Sequence, residues 1–432
     1  MLRKIRLAFI ACAFLPPLLH PAQAWAAPPL PVIPSKTFNV MNYGARGDGI
    51  ATNTVAIQAA IDASASAGGG TVEVPNGTFL CGPVHLASGV NLHLDAGADL
   101  VMLPLDKYPG GTVDPSNFIS GSRLHDVAIS GSGMINGQGI PWWPYARRPG
   151  ARRPIMIRLL SCNRVLIEDV TLTNSPMFHI AIGGRSANVT VRGVRIRANP
   201  SSDPVHPGHN TDACDVSGTN ILVENCNVSV GDDDFTCGGR TSDVLITNCI
   251  YGYGHGVSIG SGTYGGVSNV TVVNCVFNNT EAGIRIKSDR DRGGPVHNLR
   301  YVNLEMTNVN IPILIYGAYR ATGRQFRNLA RLNAAIAASY PAAAVTERTP
   351  MYSEILFSNI TATVRPGGRA GLIWGLPEAP VRDVTLANVK IRADKPFGIY
   401  DAQNVRFVNP EIITPDGTNQ LSCTNAQISI DP

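Results

Sequence analysis

The sequence predicts an all-β fold, a parallel β-solenoid with a short N-terminal capping helix, and three observations carry that expectation. An alternating aliphatic segment ending in Asn or Asp recurs at Val165–Asp169, Ile221–Asn225, Val244–Asn248, Val270–Asn274, Ile355–Asn359 and Val384–Asn388, with weaker copies ending at Asn303 and Asn409. The closing asparagines fall 23, 26 and 29 residues apart (225 to 248, 248 to 274, 274 to 303), the period of a coiled sheet. Four polar motifs follow the same beat: key residues Asp212, Asp233, His255 and Arg285 are separated by 21, 22 and 30 residues.

Each element follows from local chemistry. Residues 1–26 read as an export signal: Arg3, Lys4 and Arg6 precede an apolar run from Leu7 to Leu19, then Ala22, Ala24 and Ala26 are spaced for cleavage. The apolar run is short for a membrane span, so the mature chain is expected to be secreted or periplasmic, with no membrane partner. Losing the three basic residues lowers the net charge from +4 to +1, which removes any case for nucleic acid. A chain of 432 residues ordinarily suggests several domains. A solenoid grows along one axis, so residues 27–432 are expected to form one domain, acting as a monomer.

The Ala-rich stretch Asn53 to Ala67 has apolar spacing of three and four and stops at Gly68, Gly69 and Gly70, which predicts the capping helix. Strands follow at Thr71–Val74, Thr78–Cys81 and Val90–Leu94, and then at each repeat. No coil buries its apolar face alone, so stability must come from stacking. Asn225, Asn248 and Asn274, one coil apart, are expected to form an internal amide ladder. Cys226, Cys249 and Cys275 follow those asparagines directly and read as a stack of small apolar residues in preference to disulfides. The interval from Asn303 to Asn359 is about double, so an insertion lies there. Phe326, Leu329, Leu332 and Ile336 give residues 320–344 a helical spacing, either bordering the cleft or as a surface excursion.

The motifs Asn210-Thr211-Asp212, Gly231-Asp232-Asp233, Gly254-His255-Gly256 and Arg285-Ile286-Lys287 place three carboxylates, an imidazole and two cations on successive coils. Hydrolysis of a glycosidic bond needs an acid for the departing oxygen and a base for water. Repulsion between Asp232 and Asp233 is expected to keep one of them protonated, with Asp212 sharing the base role and His255 within reach. Arg285 and Lys287 are two apart on a strand, so both face one side and suit a uronate carboxylate. No Cys or His spacing marks a zinc site, and no cofactor is expected.

With these motifs in place, the chain resembles family 28 glycoside hydrolases, the polygalacturonases. Phe38–Ala45, Gly137-Gln138-Gly139 with Trp142-Trp143, Asn174-Ser175-Pro176 and Ile259-Gly260-Ser261 extend the resemblance from about Phe38 to Asn388. It implies a right-handed parallel β-helix and hydrolysis of the α-1,4-galacturonosidic bonds of pectin or oligogalacturonides with inversion. Carried over by motif, Asp232 becomes the general acid, Asp212 and Asp233 activate water, His255 supports the acid, and Asn210 belongs to the substrate site. Arg285 and Lys287 hold the galacturonate carboxylate, and Tyr319, ahead of Tyr316, shapes the site. The chain departs from the family at Asp234, where Cys is common; strand alternation puts Asp234 beside Asp232, the alternatives being solvent or a turn cap.

Other readings share parts of the pattern. Rhamnogalacturonan or xylogalacturonan are alternative substrates, although the intact Arg285 and Lys287 pair favours galacturonate. A calcium-dependent pectate lyase would use an Arg base, and a non-catalytic glycan-binding β-helix would rely on exposed aromatics, which are scarce at 6% of residues. The segment Gly283 to Pro295 and the insertion after Tyr319 resemble the branch with exo-acting members.

Overall fold

The computed structural model describes residues 26–321, 325, 329, 331–418 and 420–432. Residues 1–25 of the expected export signal and Phe326 of the insertion lie outside them. Consecutive strands stack in parallel along the chain; the exceptions among the described residues are one antiparallel strand pair near the C-terminus, at Ile413 and Thr418, and an isolated bridge between Leu376 and Ala379.

The register places like on like. Val165 pairs with Val189, then Ile221, Val244, Val270 and Leu299 follow one coil at a time. All of these are buried in one continuous core. Each such side chain contributes about 1.5–3 kcal/mol by leaving water. Aromatic residues enter the neighbouring column further on, where Tyr301 and Phe357 stack with centroids 4.9 Å apart.

Helix α1 (Thr54–Ser66) covers the N-terminal end of the coil by burying Ile57, Ala60 and Ile61 against that core. Asn53, at its start, spends its amide on the preceding loop: its Oδ1 accepts the Arg46 N–H at 2.7 Å and its Nδ2 donates to the Ala51 carbonyl at 2.8 Å.

The amide ladder lies elsewhere than expected. Asn225, Asn248 and Asn274 all adopt positive φ near 55° and are exposed, so they mark the outer corner of each coil, not its interior. Asn tolerates the left-handed conformation that turns the chain there. The hydrogen-bonded ladder runs from Asn274 to Asn303, Asn359, Asn388 and Asn409, with donor–acceptor distances of 2.9–3.1 Å. Seven described cysteines are buried and free, and Cys423 is exposed and free.

Asn303 and Asn359 are neighbours on adjacent coils, so the double interval is one coil carrying an insertion. Its described helix, α2 (Ala334–Ala338), is shorter than the spacing predicts. Leu332, Ala337 and Tyr340 pack with Leu314, Tyr316 and Trp374 in a second core, which holds the insertion against the cleft. Arg290 reinforces this by donating to both Glu378 carboxylate oxygens and to the Pro341 carbonyl. Among the described residues no helix is long and apolar enough to cross a membrane.

Candidate active site

Backbone stacking alone brings the four motifs together. The Asp212 carbonyl accepts from His179 N–H, Ala213 N–H donates to the Asp233 carbonyl, and His255 N–H donates to the Asp232 carbonyl, all at 2.8–2.9 Å. Strands β1 (Phe235–Cys237), β2 (Val257–Ile259) and β3 (Ala282–Lys287) then place Thr236, Ser258 and Arg285 in one column. Glycine is required at the His255 turn: a Cβ on Gly254 would lie 2.4 Å from the Asp234 carboxylate, and one on Gly256 would lie 2.2 Å from the Ala282 carbonyl.

Asp233 is the buried hub. Its Oδ1 accepts from Ser258 at 3.0 Å and from the Arg285 guanidinium; its Oδ2 accepts from Thr236 at 3.0 Å and Lys287 Nζ at 2.9 Å. Burial pushes its carboxyl up, but Arg285 and Lys287 outweigh that and hold it well below the ordinary carboxylate range. Asp232 accepts from Asn210 Nδ2 at 3.3 Å and lies 3.0 Å from His255 Nδ1. Burial raises this carboxyl too, and the His255 hydrogen bond brings it to the low side. Repulsion therefore does not leave either member of the adjacent pair protonated, as the sequence suggested, because three cationic groups compensate it. The proton is held next door: burial pulls the His255 imidazole down, but Asp232 and Asp233 raise it to about 9.

The carboxyls of the cluster that keep protons are Asp212, Asp215 and, through burial, Asp234. Burial, then the charge of Asp215, lifts Asp212 well above its ordinary value, and its Oδ1 is buried without a hydrogen-bond partner. Asp215 pairs with Thr236 one coil on and so joins the Ser258 and Arg285 column. Burial, with Asp233 second, raises it to about 8. Sequence reasoning missed Asp215, although it stands three residues after Asp212 and its register was recoverable from strand alternation.

The Asp215 shift gives a testable pH dependence. A carboxyl raised in the fold from 3.8 to about 8 contributes stability that is fully present below 3.8 and is lost as pH climbs through about 8. Asp215→Asn removes that loss. The melting temperature of the variant relative to the native chain is expected to rise steadily from acidic pH to pH 8 (thermal unfolding followed by circular dichroism); a constant difference would contradict the assignment.

Two other residues support the site without a sequence signal. Arg153 arrives from a loop and donates to the Pro176 and His209 carbonyls and to Asn210 Oδ1 at 2.8–2.9 Å, fixing the amide that faces Asp232. Buried His179 accepts Ser175 N–H at its Nε2, 3.3 Å away, so its Nδ1 donates to the Asp212 carbonyl at 3.2 Å. Burial holds it neutral, down to about 4.

Asp234 takes the turn-cap alternative, neither the place beside Asp232 on a strand nor solvent. The backbone at 232–234 is not a strand, so alternation does not apply, and Asp234 is buried, its Oδ2 accepting the Gly256 N–H at 2.8 Å. It braces the His255 turn from inside. Lys287 lies 5.2 Å from the Tyr319 ring centroid, and Tyr316 meets Tyr319 edge to face at 5.9 Å, so both tyrosines border the cations. Tyr316 and Arg285 also line a cavity of about 310 Å³ that continues beyond His255.

Asp232, Asp233 and His255 offer ligand atoms within 4.8 Å of one another, the geometry of a possible cation site. The Asp233 oxygens already face Arg285 and Lys287, so a metal would have to displace two positive charges. The arrangement suits proton transfer beside a cationic clamp.

Comparison with known proteins agrees with this geometry. A family model described as Glycosyl hydrolases family 28 matches residues 66–409, which include every motif of the site. An endo-polygalacturonase of Pectobacterium carotovorum subsp. carotovorum is 30% identical, over 74% of this chain and 79% of its own length. A probable polygalacturonase of Arabidopsis thaliana is 32% identical over 65% of this chain, which spans 61% of that relative's length. Among solved structures, a polygalacturonase from Erwinia carotovora ssp. carotovora is similar with a TM-score of 0.70 and 27% identity, over 89% of this chain and 99% of that one. An exopolygalacturonase from Thermotoga maritima shares the fold with a TM-score of 0.75, at 24% identity, over 91% of this chain and 94% of that one. The chain belongs to glycosyl hydrolases family 28 and is a glycoside hydrolase with a parallel β-helix fold.

Proposed function

We propose that this protein is an exported polygalacturonase that hydrolyses α-1,4-galacturonosidic bonds with inversion. The observation that carries the reading is the contact set around Asp233, where two cations and an imidazole from later coils meet the paired carboxylates. In the reaction, Asp232 protonates the departing glycosidic oxygen as the bond from that oxygen to C1 breaks. The proton it delivers rests on His255, 3.0 Å away, and passes through Asp232 to that oxygen. Water attacks C1 from the opposite face and gives up its proton to Asp233, the ionised member of the Asp212 and Asp233 pair, so that one bond is cleaved and one water consumed.

Arg285 and Lys287 serve two anions in this reading: they keep Asp233 ionised and draw a substrate carboxylate to the cleavage point. Neutral sugars have no use for that clamp. The insertion packed beside the cavity supports exo action, and the basic, apolar and small-residue order of residues 1–26 supports export.

The test is digestion of polygalacturonate by the purified protein, following reducing ends and product size. Hydrolysis insensitive to chelator, with mono- or digalacturonate from the earliest times, is expected. A ladder of oligomers would replace exo with endo action. Unsaturated, ultraviolet-absorbing products lost on chelation would make the protein a lyase.

A further inference from the structure

The cavity next to the catalytic cluster has a second cationic station that none of the four motifs contains. Past Arg285, strand β4 (Ile311–Tyr316) is followed by β5 (Arg369–Trp374) and β6 (Lys395–Val408), and Arg369 and Lys395 are direct register partners on the last two. Partners on neighbouring strands lie about 4.8 Å apart. Both line the same cavity of about 310 Å³ as His255, Arg285 and Tyr316, a volume in the range of small ligand sites. Arg285 pairs with Leu314, and Leu314 with Leu372, so Arg369 lies about two coils from the cleavage clamp. Arg369 stands three residues before Leu372, so its backbone is about 10 Å along the axis and about 10 Å across it from Arg285, and the two long side chains reach across that gap into the one cavity that both line.

The charge balance of the cavity is positive. Its one acidic lining residue, Glu281, is answered by Arg365 at 3.1 Å from outside the cavity. Arg369 Nη2 donates to the Leu332 carbonyl of the insertion at 2.6 Å, which fixes the guanidinium at the wall, and Leu329 of the same insertion also lines the cavity. Two half-buried cations in a cavity also lined by Ile311, Leu314 and Leu329 suit a sugar ring that carries a carboxylate.

We infer that Arg369 and Lys395 form a second uronate-binding subsite, which reads the carboxylate of the sugar next to the one held by Arg285 and Lys287. The inference rests on the polygalacturonase reading and makes the enzyme selective for runs of unesterified galacturonate, not for one isolated acidic residue. Digalacturonate fills only the positions on either side of the cut; trigalacturonate reaches the second station.

The experiment compares kcat/KM for trigalacturonate and digalacturonate in the native enzyme and in Lys395→Gln and Arg369→Gln, with melting temperatures as the folding control. The tri-to-di ratio is expected to fall about tenfold in each variant, the worth of one charge-assisted hydrogen bond, and Lys395→Arg is expected to restore it. An unchanged ratio in a folded variant would overturn the inference. Should Arg369→Gln fail to fold through loss of the Leu332 contact, Lys395→Gln decides alone, since that substitution leaves the contact in place. A native enzyme that cleaves neither these oligomers nor polygalacturonate would instead overturn the polygalacturonase reading itself.

Discussion

Asp232→Asn is expected to lower kcat on polygalacturonate by about 100- to 10,000-fold, with KM changed far less, because a positioned general acid supplies that much of the rate. The substitution keeps the shape of the side chain and an acceptor for Asn210 Nδ2, 3.3 Å away. It removes only the charge and the ability to relay a proton. The same change acts on His255, which owes its raised value first to Asp232. Its imidazole is expected to titrate well below about 9 in the variant, as proton NMR of the ring would show. Full activity in Asp232→Asn would remove Asp232 as the acid; an unshifted His255 would remove the proton store beside it.

Lys287→Met is expected to have the largest effect on stability. The side chain is buried, and its ammonium lies 2.9 Å from a carboxylate that is itself buried. Methionine fills similar space without charge, leaving Arg285 and the His255 imidazole as the remaining cations on Asp233. Removing one partner from a buried ion pair costs about 3–5 kcal/mol. The pH direction follows from Asp233. Its lowered value contributes stability that is present above 3.8 and lost as pH falls through the depressed value. Without Lys287 that loss moves to higher pH, so acid unfolding begins earlier. Adding Asp233→Asn to Lys287→Met is expected to recover most of the stability and none of the activity. Recovery of both would show that Asp233 and Lys287 are a structural pair with no part in the chemistry.

Much of this was legible in the sequence because a solenoid turns spacing into position. Intervals of 21, 22 and 30 residues, close to the strand period, are enough to stack Asp212, Asp233, His255 and Arg285, and the structure joins them through direct backbone hydrogen bonds or strand register. Periodicity says where a residue sits along the axis and less about which way it faces. The asparagines illustrate this: their spacing was read correctly, but positive φ turns them outward to the corners. Asp234 shows the same limit, since the chain at the Asp pair is irregular and strand alternation fails there. Arg153 was invisible because it enters from a loop with no period, and its three hydrogen bonds reach residues 23, 56 and 57 positions away. The protonation pattern needed the structure as well. Two adjacent aspartates look like mutual repulsion in one dimension, and only the cations folded against them reverse the sign.

The stereochemistry of the first product tests the central claim most directly, since that claim is a proton donor at Asp232 with water activated across the bond by Asp212 and Asp233. Proton NMR during the opening minutes of oligogalacturonide hydrolysis is predicted to show the β-anomer of the new reducing end before mutarotation. The α-anomer appearing first, or an unsaturated sugar, would contradict it.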